Sequence, residues 1–301
     1  MDTGIQHAVG SLAIGFFDAP LAAALWDFLQ TGMPAYTADL VAEFRWVIVI
    51  AGMVVGFLIG LTGIGGGTLL TPLLIYLGIQ PTVAVGSDLL YGSVTKLVGA
   101  FQHSQRGSIH WGWARYMAIG SVPASLAAVF LLHVVQSRYG SADELVRLSL
   151  GGILLVAALL SVGNDIYKKY RRPAESSEPL NPKEHTGKII LLGAIVGLMV
   201  GLTSIGSGAV VAVALMGFSR LPATKIVGTD IAHALILVSA AALAHWQLGS
   251  VNIPLAANLL VGSLPGVVLG SRLAYHTPAR PLKFGMALLV LAGALKMIRV
   301  W

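Results

Sequence analysis

The chain predicts an all-α fold: a polytopic transmembrane helical bundle with two internal repeats, each carrying a broken or re-entrant helix pair. Three observations carry that prediction. First, 56% of the 301 residues are hydrophobic and only 11% charged, with a mean hydropathy of +0.81. A soluble domain carries about 25% charged residues, so this chain lacks the polar surface to cover itself. Second, continuous apolar runs recur almost end to end, each near the roughly 20 residues that cross about 30 Å of hydrocarbon. Their continuity, with no alternation of polar and apolar positions, excludes a membrane barrel. Third, Gly56–Gly67 (GFLIGLTGIGGG) and Gly197–Gly208 (GLMVGLTSIGSG) lie 141 positions apart and agree at seven of twelve positions.

The elements follow in order. Residues 1–44 form an N-terminal extension in which Leu12, Phe16, Phe17, Leu21, Leu25 and Phe28 recur at three- to five-residue spacing, interrupted by Asp18, Pro20 and Asp27. That pattern predicts an amphipathic, peripheral helix lying at the interface. The first repeat spans 45–166. Its apolar helix 46–62 breaks at Gly63–Gly67 and resumes over 67–78 until Gly78 and Pro81; helices 82–103, 113–134 and 147–166 follow. Residues 167–188, with Lys168, Lys169, Arg171, Arg172 and three prolines, read as a basic, solvated cytoplasmic linker. The second repeat, 189–301, repeats the order as 189–203, a break at Ser204–Gly208, then 209–218, 223–246, 252–275 and 281–299. Val85-Gly86-Ser87-Asp88 aligns with Val227-Gly228-Thr229-Asp230, Gly107-Ser108 with Gly249-Ser250, and Ser121-Val122-Pro123 with Ser263-Leu264-Pro265.

Basic loops give a direction. If each broken pair is re-entrant, the copies are inverted and, with the linker inside, thirteen Lys and Arg face inward against five outward. If each pair makes one crossing, the copies are parallel and the split is eleven to seven. The positive-inside rule leans to inversion. The net charge of +6 comes from bases at helix ends and in the linker, so it sets topology and is no nucleic-acid footprint. With no cysteine there is no disulfide, thiolate nucleophile or thiolate metal site. Met1-Asp2-Thr3 lacks the basic start of a secretory signal.

The glycine breaks are the first candidate site. In hydrocarbon every amide needs a partner, so an interrupted helix persists only inside protein or beside a wet cavity. The helix after each break begins with unpaired N–H groups and a positive dipole end, which favour an anion. A duplicated unit broken at the same point in each copy is the sequence pointer to a carrier's substrate site. Gly65, Gly66, Gly67, Gly206 and Gly208 allow close backbone approach, while Thr62, Thr68, Thr203, Ser204 and Ser207 add hydroxyls; Ser87 and Thr229 join this substrate-binding set. The competing reading is close helix packing through small residues. No strand precedes either break, which argues against a dinucleotide fingerprint.

Charged groups inside the apolar runs come next. Asp88 and Asp230 each follow a glycine and a hydroxyl near a helix start. A buried carboxylate in a membrane is expensive, and two roles stand side by side: proton coupling, or capping of free amides. Lys96, with Val238 at the aligned position, lies two turns beyond Asp88. It supplies a fixed positive charge for an anion or a structural ion pair. His233, one turn past Asp230, is a proton-relay candidate, whereas His103 and His245 fall at helix ends and read as caps. Trp111, Trp113, Tyr116, Trp246 and Trp301 read as interfacial aromatics.

These residues carry a resemblance. GLTGIGGGTLLTPLLIYLG with AVGSDLLYGSVTKLVGAFQHSQRGSIHW, and in the second half GLTSIGSG with VGTDIAHALILVSAAALAHWQLGSVNI, resemble the sulfite exporter TauE/SafE family over about residues 46–299. The resemblance implies a bacterial inner-membrane carrier that exports sulfite, sulfoacetate or related organosulfonates, with some members importing. Gly-Ser-Asp and Gly-Thr-Asp stand where that family often has Gly-Thr-Ser, and Ser204 and Ser207 replace Gly63 and Gly66.

The expectation is therefore a secondary transporter, an exporter of small sulfur oxyanions, with the anion between the two breaks and Lys96 nearby. Its partners are a small anionic substrate and the lipid bilayer, without nucleic acid or cofactor; a homo-oligomer is compatible with this. The alternatives are a cation carrier liganded by Asp88 and Asp230 or, less favoured, an intramembrane enzyme pairing Ser204 with His233. No HExxH or GxSxG motif supports the enzyme.

Overall fold

The computed structural model describes residues 45–62, 66–170, 180–206, 208–274, 290–291, 293–295 and 297. The amphipathic helix expected in 1–44 and most of 281–299 lie outside the described residues. Residues 45–301 form one compact unit, and every regular element among the described residues is helical. In order these are α1 (Arg45–Thr62), α2 (Gly67–Tyr76), α3 (Pro81–Gln105), α4 (Trp111–Tyr139), α5 (Asp143–Tyr170), α6 (Thr186–Thr203), α7 (Ala209–Phe218), α8 (Ala223–Gln247) and α9 (Ile253–Ala274). A single 3₁₀ turn, Pro182–His185, precedes α6.

Among the described residues, four spans are long and apolar enough to cross a membrane: Trp111–Tyr139, Pro182–Thr203, Thr224–Gln247 and Ile253–Leu273. By contrast α2 and α7 have 10 residues each, about 15 Å at 1.5 Å per residue, half the hydrocarbon thickness. Helices outrun their expected bounds: α4 continues to Tyr139 and α5 runs from Asp143 to Tyr170. The sequence shows why α5 starts early, since Asp143 and Glu144 favour a first turn. At Gly140 the chain takes φ 81°, closing α4 before that start. Pro81 opens α3 at a position where its missing N–H costs nothing.

Backbone proximity dictates which helices pair. The most extensive packing joins α1 to α9 and α4 to α6, with α3 against α8 next. On α1, a Cβ at Gly52 would come 2.7 Å from the Leu259 carbonyl, and Gly56 and Gly60 press on Ser263 and Val267 in the same way. Gly262, Gly266 and Gly270 return the contact from α9. Likewise Gly193, Gly197 and Gly201 of α6 meet Met117, Ser121 and Ser125 of α4. Glycine at four-residue spacing brings helix backbones together where lipid gives no hydrophobic drive to associate. Numbers rise together across both seams, so each pair is parallel. The α3–α8 pair is antiparallel, because Gly86 meets Ser250 while Gly228 meets Ser108.

The core of the unit gathers around Leu89, Trp113, Met117, Val196, Val211, Leu215 and Leu237. Trp113 is 1% exposed and so is a core residue rather than an interfacial one, while Trp111 at the start of α4 is exposed. Pro123 and Pro265 sit inside α4 and α9. Two turns are tied down alike. His103 Nδ1 and Ser108 Oγ lie 2.8 Å apart, as His245 Nδ1 and Ser250 Oγ do at 3.0 Å. His245 Nε2 also reaches the Gly201 carbonyl at 2.9 Å.

Candidate functional site

Two helices start near one another in the interior of this fold. After α1 the chain resumes as α2 with Gly66 ahead of it, whose carbonyl accepts from Leu69 and Leu70 N–H. After α6 it turns through Ser204, at φ 63°, then Gly206 at φ 133° and Gly208 at φ 104°, before α7 begins. The start of α2 meets the turn that follows α6. A Cβ at Gly67 would fall 2.6 Å from the Ser204 carbonyl and 3.3 Å from Asp88 Oδ2. Gly66 faces Ile59 of α1 and Tyr91 of α3. Ile205 packs in a buried cluster with Leu150, Leu154, Val290, Ala294 and Met297. Gly65 and Ser207 lie outside the described residues, as does the side chain of Thr62.

The two carboxylates stand at these starts. Asp88, 2% exposed, accepts a hydrogen bond from Thr71 Oγ1 at 2.7 Å, and another from the Ser204 hydroxyl. Asp230, 8% exposed, accepts from the Gly208 amide at 3.2 Å. Neither caps its own helix, because α3 begins at Pro81 and α8 at Ala223, seven residues earlier in each case. Capping is nonetheless the chemistry seen: Asp230 reaches across to the amide that precedes α7. Lys96 is half-buried, with Nζ folded back to 3.6 Å from where a Gly92 Cβ would sit. Its charge acts on both Asp88 and Asp230. Counting formal charges, two carboxylates face one ammonium.

The remaining hydroxyls are spoken for. Ser87 Oγ accepts from Asn252 N–H, and Thr229 Oγ1 from His110 N–H, both at 2.9 Å. These two side chains therefore anchor the turns before α9 and α4 and do not face the helix breaks. Thr203 Oγ1 donates to the Met199 carbonyl at 2.7 Å and accepts from Ile205 N–H at 3.3 Å. Thr68 is buried on the first turn of α2. His233 is fully buried, with Nε2 2.8 Å from Ser121 Oγ, while its Nδ1 has no partner among the described residues.

Three contributors escaped the sequence reading. Thr71 was hidden within an apolar stretch, one residue before Pro72, and only the return of α2 brings it to Asp88. Tyr91 and Ser263 share a hydrogen bond, and they occupy positions aligned with His233 and Ser121. A signal was present, since Ser121 and Ser263 align between the halves, but nothing in the chain says which helix each faces.

Comparisons with known proteins point to a membrane transporter. A family model described as sulfite exporter TauE/SafE matches residues 48–297. The chain is 45% identical over 252 residues to the probable membrane transporter protein YjnA of Bacillus subtilis (strain 168), covering 83% of this chain and 98% of that protein. It is 26% identical over 239 residues to the probable membrane transporter protein YdhB of the same organism, covering 79% and 93%. A shorter match, 30% identical over 116 residues, covers 38% of this chain and 26% of the Arabidopsis thaliana sulfite exporter TauE/SafE family protein 1. No solved structure matches the chain. Apolar helices long enough to span a bilayer, together with a family match over most of the sequence, make this a multi-pass membrane protein. The chain belongs to the sulfite exporter TauE/SafE family of membrane transporters.

Proposed function

We propose that this protein is a secondary exporter of small sulfur-containing oxyanions, sulfite or an organosulfonate, held between the two helix starts at mid-membrane. One observation carries the reading: Gly67, the first residue of α2, lies directly against the Ser204 carbonyl at the end of α6 and beside Asp88, while Asp230 holds the Gly208 amide just before α7 and the Lys96 charge acts on both carboxylates. Amides at helix starts favour anions, and Lys96 supplies a full positive charge. The substrate class rests on the name of the family and of the Arabidopsis relative.

The carboxylates shape how such a site works. Asp230 already occupies the Gly208 amide, and Asp88 the Thr71 and Ser204 hydroxyls. An ionised carboxylate and an oxyanion exclude each other at the same donors, so loading goes with neutralising or displacing the acid. Proton uptake at Asp88 or Asp230, with His233 one turn from Asp230 as relay, couples flux to a pH gradient.

The framework is an inverted repeat. Short turns at 106–110 and 248–252 reverse the chain after α3 and α8. Combined with parallel α1–α9, parallel α4–α6 and antiparallel α3–α8 packing, this sets α1 against α6, α3 against α8 and α4 against α9 in opposite directions. It also makes α1 and α3 point the same way, so α2 must return the chain as half of a re-entrant pair. Such hairpins are tolerated at membrane depth only when buried in protein or lining water.

Flux of sulfite, a sulfonate and a carboxylate in proteoliposomes, with and without a pH gradient, tests the proposal. Gradient-dependent sulfite or sulfonate flux that is lost in Gly67→Leu is the expected result; absence of any anion flux rejects it. The carboxylates favour a second reading, cation transport with Asp88 and Asp230 as ligands. Asp88→Asn and Asp230→Asn separate the two: a cation carrier loses binding outright, whereas an anion site keeps it and loses only its response to the gradient.

A further inference from the structure

A cavity opens where α4 and the 3₁₀ turn before α6 begin. It has a volume of about 550 Å³ and is lined by His110, Arg115 and Tyr116 from the start of α4, by Asn181 and Lys183 from the 3₁₀ turn before α6, and by apolar neighbours including Ile119. Among the described residues, no acidic side chain lines it. His110 Nδ1 is buried and has no partner among the described residues, so one wall presents an unused polar atom. That wall is fixed in place, because the His110 amide donates to Thr229 on α8.

We propose that this cavity binds a phosphate-type anion carried on the headgroup of an anionic phospholipid. Its position argues for lipid as the source. Both α4 and the 3₁₀–α6 segment are long and apolar enough to span the bilayer, and the cavity sits where both begin, at the level of exposed Trp111. That end also carries Arg106, in the turn just before α4, and an anionic leaflet favours bases at such a level. The chemistry is suited to a phosphate: a planar Arg115 fork that can engage two oxygens, a point charge from Lys183, and the Asn181 side chain. One turn deeper on the same helix as Arg115, Ile119 is 57% exposed, which gives the glycerol and acyl region an apolar path along α4. A volume of this size accommodates a headgroup.

The test needs no transport assay, so it stands or falls separately from the proposed substrate. Thermal unfolding of the full-length protein is measured in nanodiscs of pure phosphatidylcholine and of phosphatidylcholine with phosphatidylglycerol. The parent protein is expected to melt higher with phosphatidylglycerol, since a ligand bound only to the folded state stabilises it. Arg115→Gln with Lys183→Gln should lose most of that rise. Arg138→Gln, altering an exposed base at the opposite end of α4, should keep it and controls for general charge. A rise that survives in the double variant, or no rise in the parent, overturns the site. In a third arm, glycerol 3-phosphate is added to phosphatidylcholine discs. If it reproduces the full rise, a soluble anion is the occupant and the lipid assignment is overturned.

Discussion

Ser204 holds a left-handed backbone at φ 63°, which costs a residue with a Cβ about 1–2 kcal/mol. Glycine would sit there freely; what the serine adds is its hydroxyl, which reaches Asp88. Two substitutions separate backbone from side chain. Ser204→Gly relieves the strain while losing the bond, and is expected to melt within about 1 kcal/mol of the parent. Ser204→Ala keeps the strain, loses the bond and should be the less stable of the two by thermal unfolding in detergent; both should slow anion flux. At the other break Gly67→Ala drives a methyl to 2.6 Å from a backbone carbonyl, whereas Gly66→Ala meets only the Ile59 and Tyr91 side-chain tips at 3.2 and 3.4 Å. Gly67→Ala is expected to lose flux with about 1–3 kcal/mol of stability, and Gly66→Ala to keep most of both. Equal effects at the two positions would mean that the Gly67–Ser204 approach does not matter.

Helix pairs set the next scale, and here glycine spacing decides what can touch. Gly197 lies against the Ser121 backbone, while Gly152 on α5 has no atom within 4 Å of its missing Cβ. Gly197→Leu should therefore separate α4 from α6 and cost several times the roughly 0.5 kcal/mol ceiling of an open surface site, with Gly152→Leu as the neutral control; midpoint temperatures compare them. How far these elements could be read beforehand depended on what each signal is made of. The ends of α1 at Thr62 and of α6 at Thr203 were legible because glycine and hydroxyl clusters interrupt the apolar runs there. Helix ends were less so, since α4 and α5 run past their apolar stretches into polar turns that cost nothing in water. The four-residue glycine spacing at 52, 56 and 60 was in plain view, yet it names no partner. The roles of Ser87 and Thr229 were illegible for the same reason, because the Asn252 and His110 amides that donate to them lie 165 and 119 positions away.

At the scale of the whole molecule, the aligned residues Gln105 and Gln247 end α3 and α8, and both are exposed. An inverted repeat places them on opposite faces of the membrane; a parallel one places them on the same face. The chain has no cysteine, so Gln105→Cys and Gln247→Cys each give a single thiol. An impermeant maleimide applied from outside intact cells should label the Cys at 247 alone. The tightest seams of this protein join α1 to α9 and α4 to α6, each taking one strand of the weave from either side of the linker. Severing the chain at 167–188 would thus strip every long seam of its mate. Each fragment produced alone should be degraded, and the two produced together should rescue one another.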